Sequence, residues 1–252
     1  ASYVFYGYWD YRFLSLIILS TIIDYFCGKK IYKSINSSQK KLFLYLSIIG
    51  NLSILGFFKY CNFSIENIQL LLSILGISTD LYSLQIVLPI GISFYTFQSM
   101  SYTIDIYNNK IKPTNKILDF ALFVAFFPQL IAGPIEKARN LLPQILNKRK
   151  ITLEYICEGL YLIFWGLFLK SFVADNLANS IVNPIFHPSS SYNGTEVLVA
   201  LYAFSFQIFC DFAGYSNMAR GLAKCLGFNL INSIKNREIP AKNKYSNITI
   251  PL

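Results

Sequence analysis

Gln98, Asp105, Gln129, Glu136, Asp211 and Arg220 are polar or charged residues lying in or beside long apolar runs. Asp211 stands between Gln207 and Tyr215, at i−4 and i+4, so a helix would place all three on one face. Asn217 follows, and Arg220 lies within a turn of it. A carboxylate at membrane depth needs a partner or a function. The choice here is an Asp–Arg or Asp–Lys pair near the inner interface, or a position on a substrate path. Upstream, Leu88-Pro89-Ile90-Gly91 opens a run that carries Ser93, Thr96, Gln98, Ser99, Ser101, Thr103 and Asp105. Such groups either bond helices together or line a water-filled cavity. The chemistry these types support is positioning and electrostatics inside an enclosed space.

Nucleophile–base and metal chemistry have little support. The one histidine, His187, sits in the Pro-flanked stretch Asn183–Pro188. A catalytic base needs an orienting partner and a water-excluding site, so His187 reads as an ordinary loop histidine. No Ser–His–Asp arrangement, H-E-x-x-H, P-loop or G-x-G-x-x-G appears. The five cysteines are odd in number and form no C-x-x-C, which argues against a disulfide framework and a zinc site and for small core hydrophobes. Asn193-Gly194-Thr195 fits a glycosylation pattern that has meaning only in a eukaryotic secretory pathway.

The elements that must position these residues are membrane helices. The chain has 252 residues, of which 54% are hydrophobic and only 14% charged, against about 25% charged in soluble domains. A single membrane domain over residues 1–252 is expected. The net charge of +9 reads as cytoplasmic loops, since no basic run interleaved with aromatics marks a nucleic-acid footprint. Five runs could span: Tyr11–Phe26, Leu42–Phe58, Leu84–Tyr107, Leu153–Val173 and Val197–Met218. A sixth, Phe120–Ile131, is only about 12 residues, against the roughly 20 a crossing takes. It ends in the polar, kinked turn Gly133-Pro134-Ile135-Glu136, with Lys137 and Arg139 just beyond. A segment that enters the membrane and turns back must satisfy its backbone within protein, so this run is expected to be a re-entrant half-helix lining a chamber.

Charge placement supports that arrangement. With the half-helix not crossing, 19 of the 22 basic residues fall on one side, which the positive-inside rule makes cytoplasmic. The first residues would lie outside and the last in the cytoplasm. Arg12, Lys59 and Lys170, near span ends, would snorkel to the interface. The stripe Phe63, Ile65, Ile68, Leu71, Leu72 and Leu75 reads as an interfacial helix or a buried loop helix.

Several motifs resemble the membrane-bound O-acyltransferase family, in its bacterial polysaccharide-modifying branch. Ser2-Tyr3-Val4-Phe5-Tyr6-Gly7-Tyr8-Trp9 is similar to that branch's entry motif, and Leu88–Gln98 to its most recognisable helix. Phe127-Pro128-Gln129-Leu130-Ile131-Ala132-Gly133-Pro134-Ile135 resembles the alginate O-acetyltransferase version, from which the D-alanyl branch usually differs around Pro-Gln-Leu. Cys210–Ser216 resembles an Asp-Phe-x-Gly-Tyr-Ser element, after which Asn217 replaces an expected Asp.

The resemblance implies an all-α, multi-helix bundle around a central tunnel in the bacterial cytoplasmic (inner) membrane. It implies transfer of an acyl group, acetyl above all, from a cytoplasmic thioester such as acetyl-CoA toward an exported polysaccharide. Gln98, Asp105, Gln129, Pro134, Glu136, Asp211, Tyr215 and Asn217 would line the substrate path. Lys137, Arg139 and Arg220 would meet the donor's phosphates. The family's catalytic histidine lies in a Phe-Trp-x-x-Trp-His element that would fall beyond Leu252. The chain is therefore expected to be an N-terminal portion, missing both ends and inactive alone. An extracytoplasmic protein that takes the acyl group onward, and membrane lipid, are the implied partners; no bound cofactor or metal is implied. Two other classes compete. One is a non-catalytic scaffold or lipid-binding module. The other is a transporter or flippase, which predicts internal repeats that the two halves do not display.

Overall fold

The structure is a computed structural model that describes residues 2–76, 88–130, 133–187 and 192–230. Every regular element among them is helical. Helix α1 (Ser2–Trp9) leads through a 3-10 turn at Tyr11–Phe13 into α2 (Leu14–Lys33) and α3 (Ser37–Ile74). Then come α4 (Ile92–Tyr107), two short helices α5 (Ile117–Val124) and α6 (Phe127–Leu130), and α7 (Ala138–Leu146). A long helix α8 (Leu153–Ile185) and α9 (Gly194–Cys225) complete the order. Among the described residues four helices are long and apolar enough to cross a membrane: Tyr11–Lys33, α3, α8 and α9. The protein is an all-α membrane protein.

The fold corrects the expected topology in several places. The span expected at Leu84–Tyr107 is helical only over the 16 residues of α4, and residues 84–87 lie outside the described residues. Pro89 and Gly91 start it late. Gly91 has φ +76, a conformation glycine tolerates without a Cβ clash. The stripe Phe63–Leu72 is no separate element: it continues α3, which runs unbroken for 38 residues. The connection Asp175–Glu196 is helical as far as Ile185, because α8 continues through two π-helical stretches, Phe168–Ala174 and Ala178–Val182. Asn193 acts as the N-cap of α9, in a capping box with Glu196.

Two of the three lysines and arginines expected to snorkel have specific partners. Arg12 binds Asp10 through Nε and Nη2, and these bonds hold the Asp10 carboxyl below its usual range. Lys170 binds two carboxylates, Asp175 and Asp211. Lys59 lies over the Tyr60 ring at 5.4 Å.

Packing divides between two assemblies. Helices α2, α3 and α4 form one bundle. Its core runs through Ile17, Tyr25, Tyr102 and Ile106 to Phe120 and Phe123 of α5, with Tyr102 and Phe120 rings 4.2 Å apart. Buried tyrosines pin loops to it: Tyr6 donates to Ile90 O at 2.9 Å, and Tyr25 to Asn115 O at 2.6 Å. Helices α8 and α9 form the other assembly, an antiparallel hairpin in which glycines replace side chains at the contact. A Cβ on Gly166 would sit 2.6 Å from Gly214 O, and one on Gly159 2.7 Å from Gly221 O. Lipid gives apolar helices no hydrophobic drive to associate, so close backbone approach at small residues supplies dispersion contact instead.

Candidate functional site

The segment expected to be a half-helix is a broken helix wrapped in protein. α5 ends at Ala125, a tight turn through Phe126 follows, and α6 adds one turn. Phe120, Phe123, Val124, Ala125, Phe126 and Leu130 are all buried. Ile131 and Ala132 lie outside the described residues. A break of this kind frees backbone groups that must be met from inside the protein. Gln98, on α4, meets one of them: its Nε2 donates to Phe123 O at 2.6 Å. The same nitrogen lies 3.3 Å from Gln129 Oε1. Gln129 Nε2 in turn donates to Pro134 O at 3.1 Å. Gln98, Gln129 and Pro134 are therefore one continuous hydrogen-bonded unit, and both carboxamides are buried.

The Gly-Pro turn then rests on α9. A Cβ added at Gly133 would lie 3.1 Å from the Ala219 Cβ, so glycine sets the closeness of the turn to that helix. Arg220 is the next residue along. Its Nη1 donates to Asn217 Oδ1 at 3.2 Å, and it lies within electrostatic range of the buried Glu136. Asn140 Nδ2 reaches Glu136 Oε2 at 3.4 Å. The Arg220 Nε is buried without a hydrogen-bond partner among the described residues. The structure thus brings Gln98, Gln129, Pro134, Glu136, Asn217 and Arg220 to one place.

The other site candidates lie elsewhere. Asp105 is buried two turns along α4 from Gln98, and its Oδ2 has no partner among the described residues. Asp211 and Tyr215 belong to the α8–α9 hairpin: Lys170 Nζ sits 2.9 Å from Asp211 Oδ1 and 5.4 Å from the centre of the Tyr215 ring. Of the alternatives open for Asp211, the ion pair is realised, with lysine as the partner. Gln207 Oε1 is buried without a partner among the described residues. Lys137 and Arg139 are exposed beside Glu136. His187 is exposed just beyond α8.

Two basic clefts were not singled out by sequence. One, about 770 Å³, lies between the end of α2 and the start of α3, with Lys29, Lys30 and Lys33 against Phe26, Leu42 and Phe43. The other, about 480 Å³, is lined by Lys148, Arg149 and Lys150 with Gln144 and Tyr155. Arg149 lies 4.2 Å over the Phe228 ring, which packs edge-on against Phe126 at 4.7 Å. The second cleft is thus one aromatic layer from the broken helix. Its signal in the sequence was the run Lys148-Arg149-Lys150, which the loop-charge reading absorbed into orientation. Among the described residues no cluster of His, Cys, Asp and Glu could hold a metal ion.

No protein-family model matches the chain. Individual relatives do. The chain is 39% identical over 236 residues to a protein of Pseudomonas syringae pv. tomato named probable alginate O-acetylase, covering 93% of this chain and 45% of the relative. It is 34% identical over 256 residues to a peptidoglycan O-acetyltransferase of Helicobacter pylori, covering 91% and 47%. It is 28% identical over 143 residues to a teichoic acid D-alanyltransferase of Bacillus subtilis, covering 55% and 35%. The chain spans about half the length of the first two. Relatives with these three names, together with the motifs at Leu88–Gln98 and Phe127–Ile135, agree on one answer: the chain belongs to the membrane-bound O-acyltransferase family.

Proposed function

We propose that this chain forms part of a membrane O-acyltransferase that moves an acyl group, acetyl by likeness to its relatives, from a cytoplasmic thioester to an exported cell-surface polysaccharide. The observation that carries this reading is the Gln98–Gln129–Pro134 unit, which holds the broken helix open between α4 and α9 next to Glu136 and Arg220. A break of this kind is tolerated where it is buried in protein or lines a water-filled cavity, and this reading takes the second case. On this reading a thioester and an acceptor hydroxyl would meet beside these polar atoms, away from lipid.

In the reaction the acceptor oxygen attacks the thioester carbonyl carbon. The C–S bond breaks, the hydroxyl proton passes to a base, and the thiolate leaves and takes up a proton. The base is proposed to be a histidine supplied by the full-length protein beyond Leu252. A general base contributes about 10²–10⁴-fold in rate. Arg220, with Lys137, Arg139 and the Lys148–Lys150 cleft, would attract the donor's phosphates from the cytoplasmic face. The first residues would lie outside and the last inside, in the bacterial inner membrane, with an extracytoplasmic partner carrying the acyl group onward.

The test uses the full-length protein in its own host. Cell-surface polymer is hydrolysed and released acetate measured for the parent and for Gln129→Leu and Arg220→Gln, with membrane insertion checked for each. Loss of released acetate in correctly inserted variants supports the reading. Unchanged acetate in both variants removes the site assignment. If the parent transports a substrate without consuming thioester, the transporter class replaces it.

A further inference from the structure

Asp24 is a fully buried carboxyl on α2 that plays no part in the site above. Five side chains surround it: Ser20 on its own helix, Ser47 and Asn51 on α3, and Ser99 and Thr103 on α4, all buried. Its Oδ1 accepts from Ser47 Oγ at 2.6 Å and from Asn51 Nδ2 at 2.8 Å. Its Oδ2 contacts Ser99 Oγ. Ser99 Oγ lies 3.2 Å from Ser20 Oγ, and Ser20 donates to Asn51 Oδ1 at 2.5 Å. On the other side Ser47 Oγ lies 2.9 Å from Thr103 Oγ1, which reaches Met100 O at 3.0 Å.

Counting protons points to the acid form of the carboxyl. Asn51 Nδ2 faces two acceptors, Asp24 Oδ1 and Ser47 O, so its Oδ1 must be the atom facing Ser20. Ser20 has one hydroxyl proton and gives it to Asn51. Read as a hydrogen bond, the 3.2 Å contact between Ser20 and Ser99 uses the proton of Ser99. Ser99 has none left for Asp24. Three contacts join a carboxyl oxygen to an amide oxygen through two hydroxyls, and the third proton has to come from the carboxyl.

Charge leads to the same place independently. An ionised carboxylate in the membrane interior needs a cation. The ion pairs Arg12–Asp10, Lys170 with Asp175 and Asp211, and Lys224–Glu158 all lie elsewhere. The titratable groups that face Asp24 are Cys27 on α2 and Tyr102 on α4. Neither is a cation, and α3 presents only Ser47 and Asn51. A metal ion is the other neutralising agent. The oxygens here already touch one another at hydrogen-bond distances, which leaves no space between them for one.

We propose that Asp24 is a proton-binding site inside the membrane, with the carboxyl held in its acid form and donating from Oδ2 into the chain Ser99–Ser20–Asn51. The bound proton completes the contact among α2, α3 and α4. Its removal would place a bare charge in the bundle and leave Ser99 with two acceptors for one proton. This proposal does not depend on the reaction proposed above.

The test is infrared difference spectroscopy on the full-length protein in lipid nanodiscs, parent minus Asp24→Asn, at neutral pH with and without sodium. The expected result is a carbonyl band of a protonated carboxylic acid in the parent, moved by deuterium exchange and by Ser99→Ala, and indifferent to sodium. A carboxylate band in its place overturns the proposal, as does an acid band that sodium removes. Melting supplies a second measure. An asparagine offers one donor edge and one acceptor edge, as the neutral acid does, so Asp24→Asn should melt within about 3 °C of the parent while Asp24→Leu loses about 10 °C. Equal losses in the two variants would also overturn it.

Discussion

One lysine serves two carboxylates at the centre of the α8–α9 hairpin: Lys170 Nζ lies 2.7 Å from Asp175 Oδ1 and 2.9 Å from Asp211 Oδ1. Lys170 falls in a π-helical stretch, where the wider turn re-aims side chains relative to a regular helix. Removing the cation leaves two acids without compensation beside lipid. Lys170→Met should therefore lower the melting temperature markedly, and Lys170→Met with Asp211→Leu should recover part of the loss. A double-mutant cycle in detergent is expected to give a coupling of about 0.5–3 kcal/mol. Strict additivity would show that the pair contributes nothing.

The glycine contacts of the same hairpin predict a sharp contrast between positions. Gly166→Leu or Gly214→Leu forces side chains into the facing backbone, and overpacking of this sort costs about 1–3 kcal/mol. A Cβ added at Gly56 would meet nothing within 4 Å, so Gly56→Leu should leave melting unchanged. Cysteine cross-linking between α8 and α9 would report the hairpin separation directly.

The carboxamide unit predicts a stability effect as well as a functional one. Gln98→Leu leaves Phe123 O without its side-chain donor at a helix break. An unmet buried carbonyl costs about 1–3 kcal/mol. Gln98→Glu should recover only part, since a protonated carboxyl has one proton for the two acceptors Phe123 O and Gln129 Oε1. Proteolysis between α5 and α7 should become faster in both variants. If cleavage keeps the parent rate, the amide bond does not hold the break.

The Lys148–Lys150 cleft predicts a binding effect without a chemical one. If the full-length protein uses a thioester donor as proposed, Lys148→Gln with Lys150→Gln should raise KM for it several-fold with kcat little changed, the pattern expected when uniform binding is lost. The difference from the parent should shrink as salt is raised, because exposed charges are screened beyond about 10 Å at 0.1 M. A fall in kcat with KM constant would place these residues elsewhere in the cycle.

Much of the fold was legible because membrane helices announce themselves by apolar length. The α8 and α9 spans fell where their runs lie, and the run at Phe120–Ile131 forms no long helix among the described residues. The misplaced elements share a cause. Hydropathy fixes where a helix enters lipid and is silent on where it stops. α3 therefore ran on past Tyr60 through a stripe that looked like a separate surface helix, and α8 ran on past Val173. The converse holds for α4, whose polar face and Pro89-Gly91 start left only 16 helical residues. In the candidate site, Gln98, Gln129, Pro134, Glu136 and Arg220 were each visible as polar residues out of place. Their assembly was not, because Gln98 and Gln129 meet across 31 positions and no local spacing encodes that. Lys170 was read as an interfacial lysine for the same reason: its partner Asp211 lies 41 positions away in sequence. Asp24, Ser47 and Asn51 were not singled out, and of that cluster only Ser99 and Thr103 were read as groups that bond helices or line a cavity.

The unbroken length of α3 sets a limit on how the protein can sit in a bilayer. Thirty-eight residues at 1.5 Å each make a rod of about 57 Å. A hydrocarbon layer of about 30 Å admits roughly 39 Å of helix even at a tilt of about 40°, the steep end of what membrane helices adopt. About a dozen residues must stand clear of the lipid tails. With Lys40 and Lys41 of the first turns at a headgroup surface, as their charge favours, the surplus would emerge opposite them, as a stiff post ending near Ile74. Ser47 and Asn51, which grip Asp24, belong to the same rod. Whatever presses sideways on the post at one surface therefore turns a lever whose short arm lies among those buried hydroxyls.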